Sequence, residues 1–181
     1  MSTLQQHIAL LAQYNAWMNA MLYDAAASLT AAELALNRSA FFGSIIGTLN
    51  HIVVADTIWL KRFAQHPPKL STIEALEVVR QLPTPAALSD QLFTDLAAMR
   101  QRRSQLDEAI CELAISTATD DMDSSLNYTN TAGVTQSKNM GSLLLHFFNH
   151  QTHHRGQATT LLTQAGVDVG VTDLNALIPS V

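Results

Sequence analysis

Apolar residues recur at spacings of three and four along four separate stretches of the chain. From about Thr3 to Ala27, Ile8, Leu11, Tyr14, Trp17, Met18, Met21, Leu22 and Ala25 keep that rhythm. They predict an amphipathic helix with Ser2 or Thr3 as its N-cap. In the following stretch, SLTAAELALNRSAFFG, Thr30 and Glu33 have capping-box spacing and predict a short helical turn. A second long helix is expected from Ser44 to about Gln65, with Ile45, Leu49, Ile52, Trp59, Leu60 and Phe63 facing inward. His66-Pro67-Pro68 stops it. Ser71 and Glu74 repeat the capping-box signature and open a short helix that ends near Leu82.

Thr84-Pro85 reads as an N-cap followed by proline at the first helical position. The third long helix predicted from it carries Leu88, Leu92, Leu96, Met99, Leu106, Ile110 and Leu113, the longest clean stripe in the chain. Between Ser116 and Asn139 the composition turns polar, and the weak alternation of LNYTNTAGVTQS admits a small β-hairpin. A fourth long helix is expected from about Lys138 to Ala165, with Gly166 placed to end it. The tail, VDVGVTDLNALIPSV, gives only a weak signal. The pattern predicts an all-α fold: a four-helix bundle with short extra helices in the connections and room for a hairpin before the last long helix. The long connections after helices two and three leave a simple up-down-up-down path unassured.

Composition narrows the class. A chain of 181 residues suits one domain spanning residues 1–181 with a real core. Apolar residues make up 48% and charged ones 14%, a globular rather than disordered balance. Net charge is −5, and the only local basic cluster is Arg100, Arg102 and Arg103, so no phosphate-tracking stripe exists and no nucleic-acid partner is expected. Cys111 is alone, which excludes an internal disulfide and fits a reducing cytoplasm. No Lys or Arg precedes Arg38, so the charged start of a secretory signal is missing. No apolar run approaches the ~18–20 residues that cross a bilayer. The expectation is a soluble, cytoplasmic protein.

The chemistry concentrates in HFFNHQTHHRGQ, where four of the seven histidines fall. Residues advance by about 100° along a helix, so His150 and His154 lie on one face, one turn apart. Counting from Leu143 through Phe147 to Ala158 and Leu161 puts that pair within the apolar stripe; His146 extends the row and His153 falls to one side. Two imidazoles in such a stripe either hydrogen-bond to neighbours or chelate a divalent metal, for which His at i and i+4 is a natural two-point ligand. On the second long helix His51 stands among apolar residues, with Ala55 and Ile58 on its side. An isolated histidine there would be a satisfied core residue. Together with His150 and His154 it makes a three-histidine metal site between facing helices. His7 and His66, near a terminus and a Pro-Pro stop, read as surface residues.

Two metal chemistries are excluded by the residues themselves. The run His150-Gln151-Thr152-His153-His154 lacks the glutamate of H-E-x-x-H. No Glu is followed by His at the third position, which rules out a ferritin-like di-iron site. A mononuclear three-histidine site with open coordination positions remains, the pattern of a catalytic rather than a closed structural centre. Three imidazoles suit zinc, nickel, iron or copper. Asn50, Asp56, His146 and Gln157 are candidates for outer contacts to the ligands or to substrate, with ordinary helix hydrogen bonding as the alternative. Arg155 reads as an ion-pair or substrate-carboxylate partner at the edge, and Gly156 as a point of close helix approach.

LNHIVVADTIWLKRF and LLLHFFNHQTHHRGQATTLL, with YNAWMNAMLYD near the start and VTDL near the end, resemble the DinB/YfiT-like family of bacterial metal-binding helical proteins. The resemblance spans nearly the whole chain, and HRGQ after the second helix-four ligand is its most specific part. It implies a four-helix bundle, pairing into homodimers, and one divalent metal on His51, His150 and His154, the residues reached above. It does not imply polymerase activity. Some relatives look like metal-dependent transferases or isomerases that use low-molecular-weight thiols such as bacillithiol, mycothiol or glutathione. The leading expectation is therefore a thiol S-transferase of stress or detoxification chemistry, acting on a small-molecule thiol and an electrophile. Alternatives are metal-assisted hydrolysis, with Asp56 as candidate base, and a non-enzymatic stress protein with a structural metal. Trp17, Phe41, Phe42 and Phe148 add apolar surface that motivates a dimer.

Overall fold

The computed structural model describes residues 3–66 and 73–180. Among these, the chain forms α1 (Thr3–Ala26), α2 (Ala31–Ala35), α3 (Ile45–Phe63), α4 (Glu74–Gln81), α5 (Leu96–Ser116), α6 (Thr119–Asp123), the strands β1 (Ser125–Thr129) and β2 (Thr135–Asn139), and α7 (Met140–Gln164). A 3-10 turn, Leu174–Leu177, lies in the tail. The fold is mostly helical, with one small antiparallel hairpin pairing Ser125 with Asn139 through Thr129 with Thr135. The hairpin falls where the weak alternation allowed one, and Gly133 supplies a positive φ of 79° at its turn. The short α6 has no counterpart in the expected elements.

Several boundaries have local causes. Thr30 and Glu33 complete the expected capping box of α2. The Ser44 hydroxyl accepts from the Gly47 N–H and starts α3. Asn139 caps α7 at Ser142, and Gly166, at φ 82°, follows its last turn. Ser2, Pro67, Pro68 and Ser71, invoked as caps and stops, lie outside the described residues.

The third long helix begins later than its leucine stripe predicts. It starts at Leu96, capped by the Asp95 carboxylate at the Ala98 N–H, 2.7 Å away. Upstream, the Asp90 carboxylate accepts from the Ala86 and Ala87 N–H groups and bends the chain into a turn. These side-chain acceptors compete with helical bonding. Thr84-Pro85 therefore opens no helix, and Leu88 and Leu92 are 42% and 41% exposed. Residues 83–95 form a strap over α3.

Of the long helices, α1 packs on α5 and α7, and α3 packs on the same two. The first two long helices of the chain thus lie across from each other. Leu22, Leu49, Leu60, Phe63, Met99, Leu106 and Phe147 fill the space between. α3 is buried at every position from Ile45 to Ile58, because the strap and the loop before it cover the face that the other helices leave open.

A layer of polar side chains crosses this core, which a reading of apolar stripes does not anticipate. Asn15 and Asn19 of α1 both donate to one Asp107 oxygen of α5, at 3.0 and 2.9 Å. Arg103 of α5 pairs with Asp56 of α3 at 2.5 Å and with Asp107 at 3.1 Å. Gln151 of α7 donates to the same Asp56 oxygen at 2.8 Å, and Arg155 donates to Asn15. Every long helix contributes, which pairs charges that would be costly if left alone, while Asp56 Oδ1, Gln151 Oε1 and Arg155 Nε keep no hydrogen-bond partner among the described residues.

Four sequence expectations are corrected here. Arg155 is buried in this layer under Tyr14 rather than at an edge. Gly156 is exposed and meets no neighbouring helix. Phe148 is a core residue, so it adds nothing to an apolar surface; Phe41, at 88% exposure, does. His66 is buried, with a ring nitrogen 2.7 Å from the Ser124 hydroxyl, whereas His7 is exposed as expected.

Candidate metal centre

α3 and α7 bring three imidazoles to one point. His51 Nε2 lies 3.4 Å from His150 Nε2 and 3.2 Å from His154 Nε2. One nitrogen from each ring falls within 4.8 Å of the others, so the group could hold a metal ion. Nitrogens ~2.0–2.1 Å from a common centre at tetrahedral angles lie about 3.3–3.4 Å apart, close to the 3.2 and 3.4 Å separations here.

The outer nitrogens explain why the inner ones face each other. His51 Nδ1 is 2.8 Å from the Leu88 carbonyl oxygen, which can only accept. In the neutral ring Nδ1 therefore carries the proton and Nε2 presents a lone pair. His154 Nδ1 is likewise 2.8 Å from Gln157 Oε1, whose amide nitrogen faces His153 Nε2 at 3.2 Å. Two lone pairs then point at each other across 3.2 Å with no proton between them, an arrangement that a cation relieves. Both outer bonds are of the kind that orients metal-binding histidines. His150 Nδ1 is buried with no hydrogen-bond partner among the described residues.

Electrostatics keep the rings in their ligand form. Burial lowers the pKa of His51, although the Leu88 bond and the Asp56 charge act the other way. Burial lowers His154 as well, partly offset by Gln157. His150 falls furthest, to about 3, through burial and then through the neighbouring imidazoles of His154 and His51. All three are neutral at physiological pH.

Asn50 acts one step further out. Its amide clamps the strap, donating to the Phe93 carbonyl at 2.8 Å and accepting from the Phe93 N–H at 2.9 Å. The clamp holds the chain that presents Leu88 to His51. Phe42 closes another side, stacked on His51 with ring centres 3.9 Å apart. The loop reaches that position because residue 47 is glycine: a Cβ there would sit 2.1 Å from the Phe42 carbonyl oxygen.

The remaining candidates lie elsewhere. Asp56 is fully buried and committed to Arg103 and Gln151, so it does not touch the histidine group. His146 is exposed, its ring 6.1 Å from that of His150 and 5.3 Å from that of Trp59. Cys111 lines a separate cavity between α1 and α5, and burial raises its thiol pKa. Leu88 and Phe42 are the contributors that sequence reasoning missed. A backbone carbonyl leaves no trace in residue identity, and Phe42 sits in a loop with no periodicity to place it.

The DinB family model matches residues 1–180. Protein DinB of Bacillus subtilis (strain 168) is 24% identical over 170 residues, covering 89% of this chain and 87% of that relative. No solved structure matches the chain. The chain belongs to the DinB family.

Proposed function

We propose that this member of the DinB family is a four-helix bundle that holds one divalent cation on His51, His150 and His154 and acts as a thiol S-transferase. The observation that carries this reading is the convergence of neutral imidazole nitrogens at 3.2 and 3.4 Å. Zinc and nickel fit three imidazoles best, and iron is compatible. A bound cation would supply Lewis acidity that lowers the pKa of a small-molecule thiol.

The protein's own residues do the rest. The Leu88 carbonyl and Gln157 fix the tautomers of His51 and His154. Phe42 excludes water from one side of the group. The thiol must come from outside, because Cys111, the chain's single cysteine, lines a different cavity. Hydrolysis loses its candidate base, since Asp56 is held by Arg103. A purely structural metal fits less well, because His150 also lines an open cavity.

The test is thiol-dependent consumption of monochlorobimane by zinc-loaded protein, with bacillithiol, mycothiol and glutathione in turn. A carbon–sulfur bond forms, chloride leaves and the thiol proton passes to solvent. Turnover with at least one thiol, lost in His150→Ala, is expected. No turnover with any of them at full metal loading would contradict the transferase reading. The family resemblance also supports a homodimer and a cytoplasmic stress or detoxification role. Light scattering that gives a monomer mass would contradict the dimer.

A further inference from the structure

A cavity of about 230 Å³ opens beside His150, between α3, the strap and the hairpin. Ile58 contributes an apolar surface, Trp59 and Tyr128 aromatic rings, and His146 and His150 the end nearest the histidine group. Among the described residues Arg62 is the one permanently charged residue in its lining. The guanidinium carbon lies 4.7 Å from the Trp59 ring centre and 4.8 Å from that of Tyr128, contacts that hold a planar cation in place.

Arg62 is held but not neutralised. Among the described residues its one hydrogen-bond acceptor is the Thr129 carbonyl, 3.1 Å from Nη2. No carboxylate of those residues lies within salt-bridge distance of it, whereas Arg80 and Arg100 each have one and Arg103 has two. Most of its N–H donors therefore stay uncommitted. A half-buried arginine with no counter-ion, in a chain of net charge −5, is a site for an anion.

We propose that this cavity binds a small planar organic carboxylate, with its carboxylate on Arg62 and its flat body against Trp59 and Tyr128. The cavity is smaller than the ~300–1,000 Å³ of drug-sized pockets, which sets the size of the ligand. The single positive charge matches a monoanionic carboxylate better than a dianionic phosphate. Among the described residues no acidic side chain lines the cavity, so it offers an organic cation no counter-charge. Calling this carboxylate the sulfur-accepting substrate rests on the transferase reading. Its binding needs neither metal nor thiol.

Calorimetry on the metal-free protein, with cinnamate and its neutral isostere cinnamamide, separates the two ideas. Wild type is expected to bind cinnamate about tenfold more tightly than cinnamamide, the scale of one charge-assisted hydrogen bond. Arg62→Gln is expected to abolish that preference while still binding the amide, and Arg62→Lys to keep part of it. Should Arg62→Gln not fold, Tyr128→Leu provides the second reading, with cinnamate affinity expected to fall several-fold. No cinnamate binding at millimolar concentration overturns the proposal. So do equal affinities in wild type, or a preference that persists in folded Arg62→Gln. Carboxylate binding without thiol transfer would leave the pocket standing and remove the transferase. Thiol transfer without carboxylate binding would do the reverse.

Discussion

The Leu88 carbonyl oxygen stands 2.8 Å from His51 Nδ1 and so decides which nitrogen of that ring carries a proton. A non-helical strap thereby sets the chemistry of a side chain on the most buried helix of the fold. Asn50 secures the strap through both hydrogen bonds to Phe93.

Asn50→Ala should loosen that strap. Loss of a buried, fully bonded amide destabilises by about 1–3 kcal/mol, and metal affinity should fall about 10-fold as His51 loses its fixed orientation. Urea unfolding and a zinc-competition titration measure the two effects. A stability loss with unchanged affinity would show that the strap does not position His51.

Gln157→Leu removes the partner of His154 Nδ1 without touching the inner nitrogens. Metal affinity is expected to drop about 10–100-fold, and Gln157→Glu, which keeps an acceptor, should recover most of it. Equal affinities in all three proteins would remove Gln157 from the site.

Much of this was legible beforehand, for definable reasons. His150 and His154 are four apart within an apolar stripe, and His51 interrupts another, so helical geometry puts each on the core-facing side of its own helix, and the packing of α3 on α7 brings the two sides together. Residues 83–95 were not legible as a strap. Leu88, Leu92 and Leu96 mimic a helical stripe, while the bonds of Asp90 and Asp95 that break it depend on conformation. The pairing of Asp56 with Arg103 was hidden because it joins residues 47 apart, and periodicity reports only one helix at a time.

Asp56→Ala tests that buried layer separately from the histidines. Breaking one half of a buried pair destabilises by about 3–5 kcal/mol, here by stranding Arg103 and Gln151. Urea denaturation should show that loss, while metal stoichiometry under native conditions stays unchanged. A loss below about 1 kcal/mol would mean that the layer is solvated.

Gly47→Ala places a methyl group against the Phe42 carbonyl and must displace the loop that stacks Phe42 on His51. Stability should fall by about 1–3 kcal/mol and the fluorescence or NMR signature of the Phe42–His51 contact should change. A variant as stable as wild type would show that the loop has room to move.

Acid sensitivity of the metal-free protein follows from the lowered imidazoles. Unfolded histidines take up protons as pH falls through 6.5, whereas His51, His150 and His154 resist until lower values in the fold. The unfolded state then binds more protons, so stability is lost as pH falls below 6.5. Discounted for partial exposure, the loss between pH 6.5 and 5 should be about 1–2 kcal/mol. His150→Leu should flatten the profile; an unchanged slope would contradict the assignment.

The most direct test is metal content. Untagged wild-type protein and the His51→Ala and His154→Ala variants, each reconstituted with zinc or nickel, are compared by elemental analysis. The expected result is about one metal per chain in wild type and none in either folded variant. Metal retained at full stoichiometry in both variants, or absent from reconstituted wild type, would contradict a shared three-histidine site.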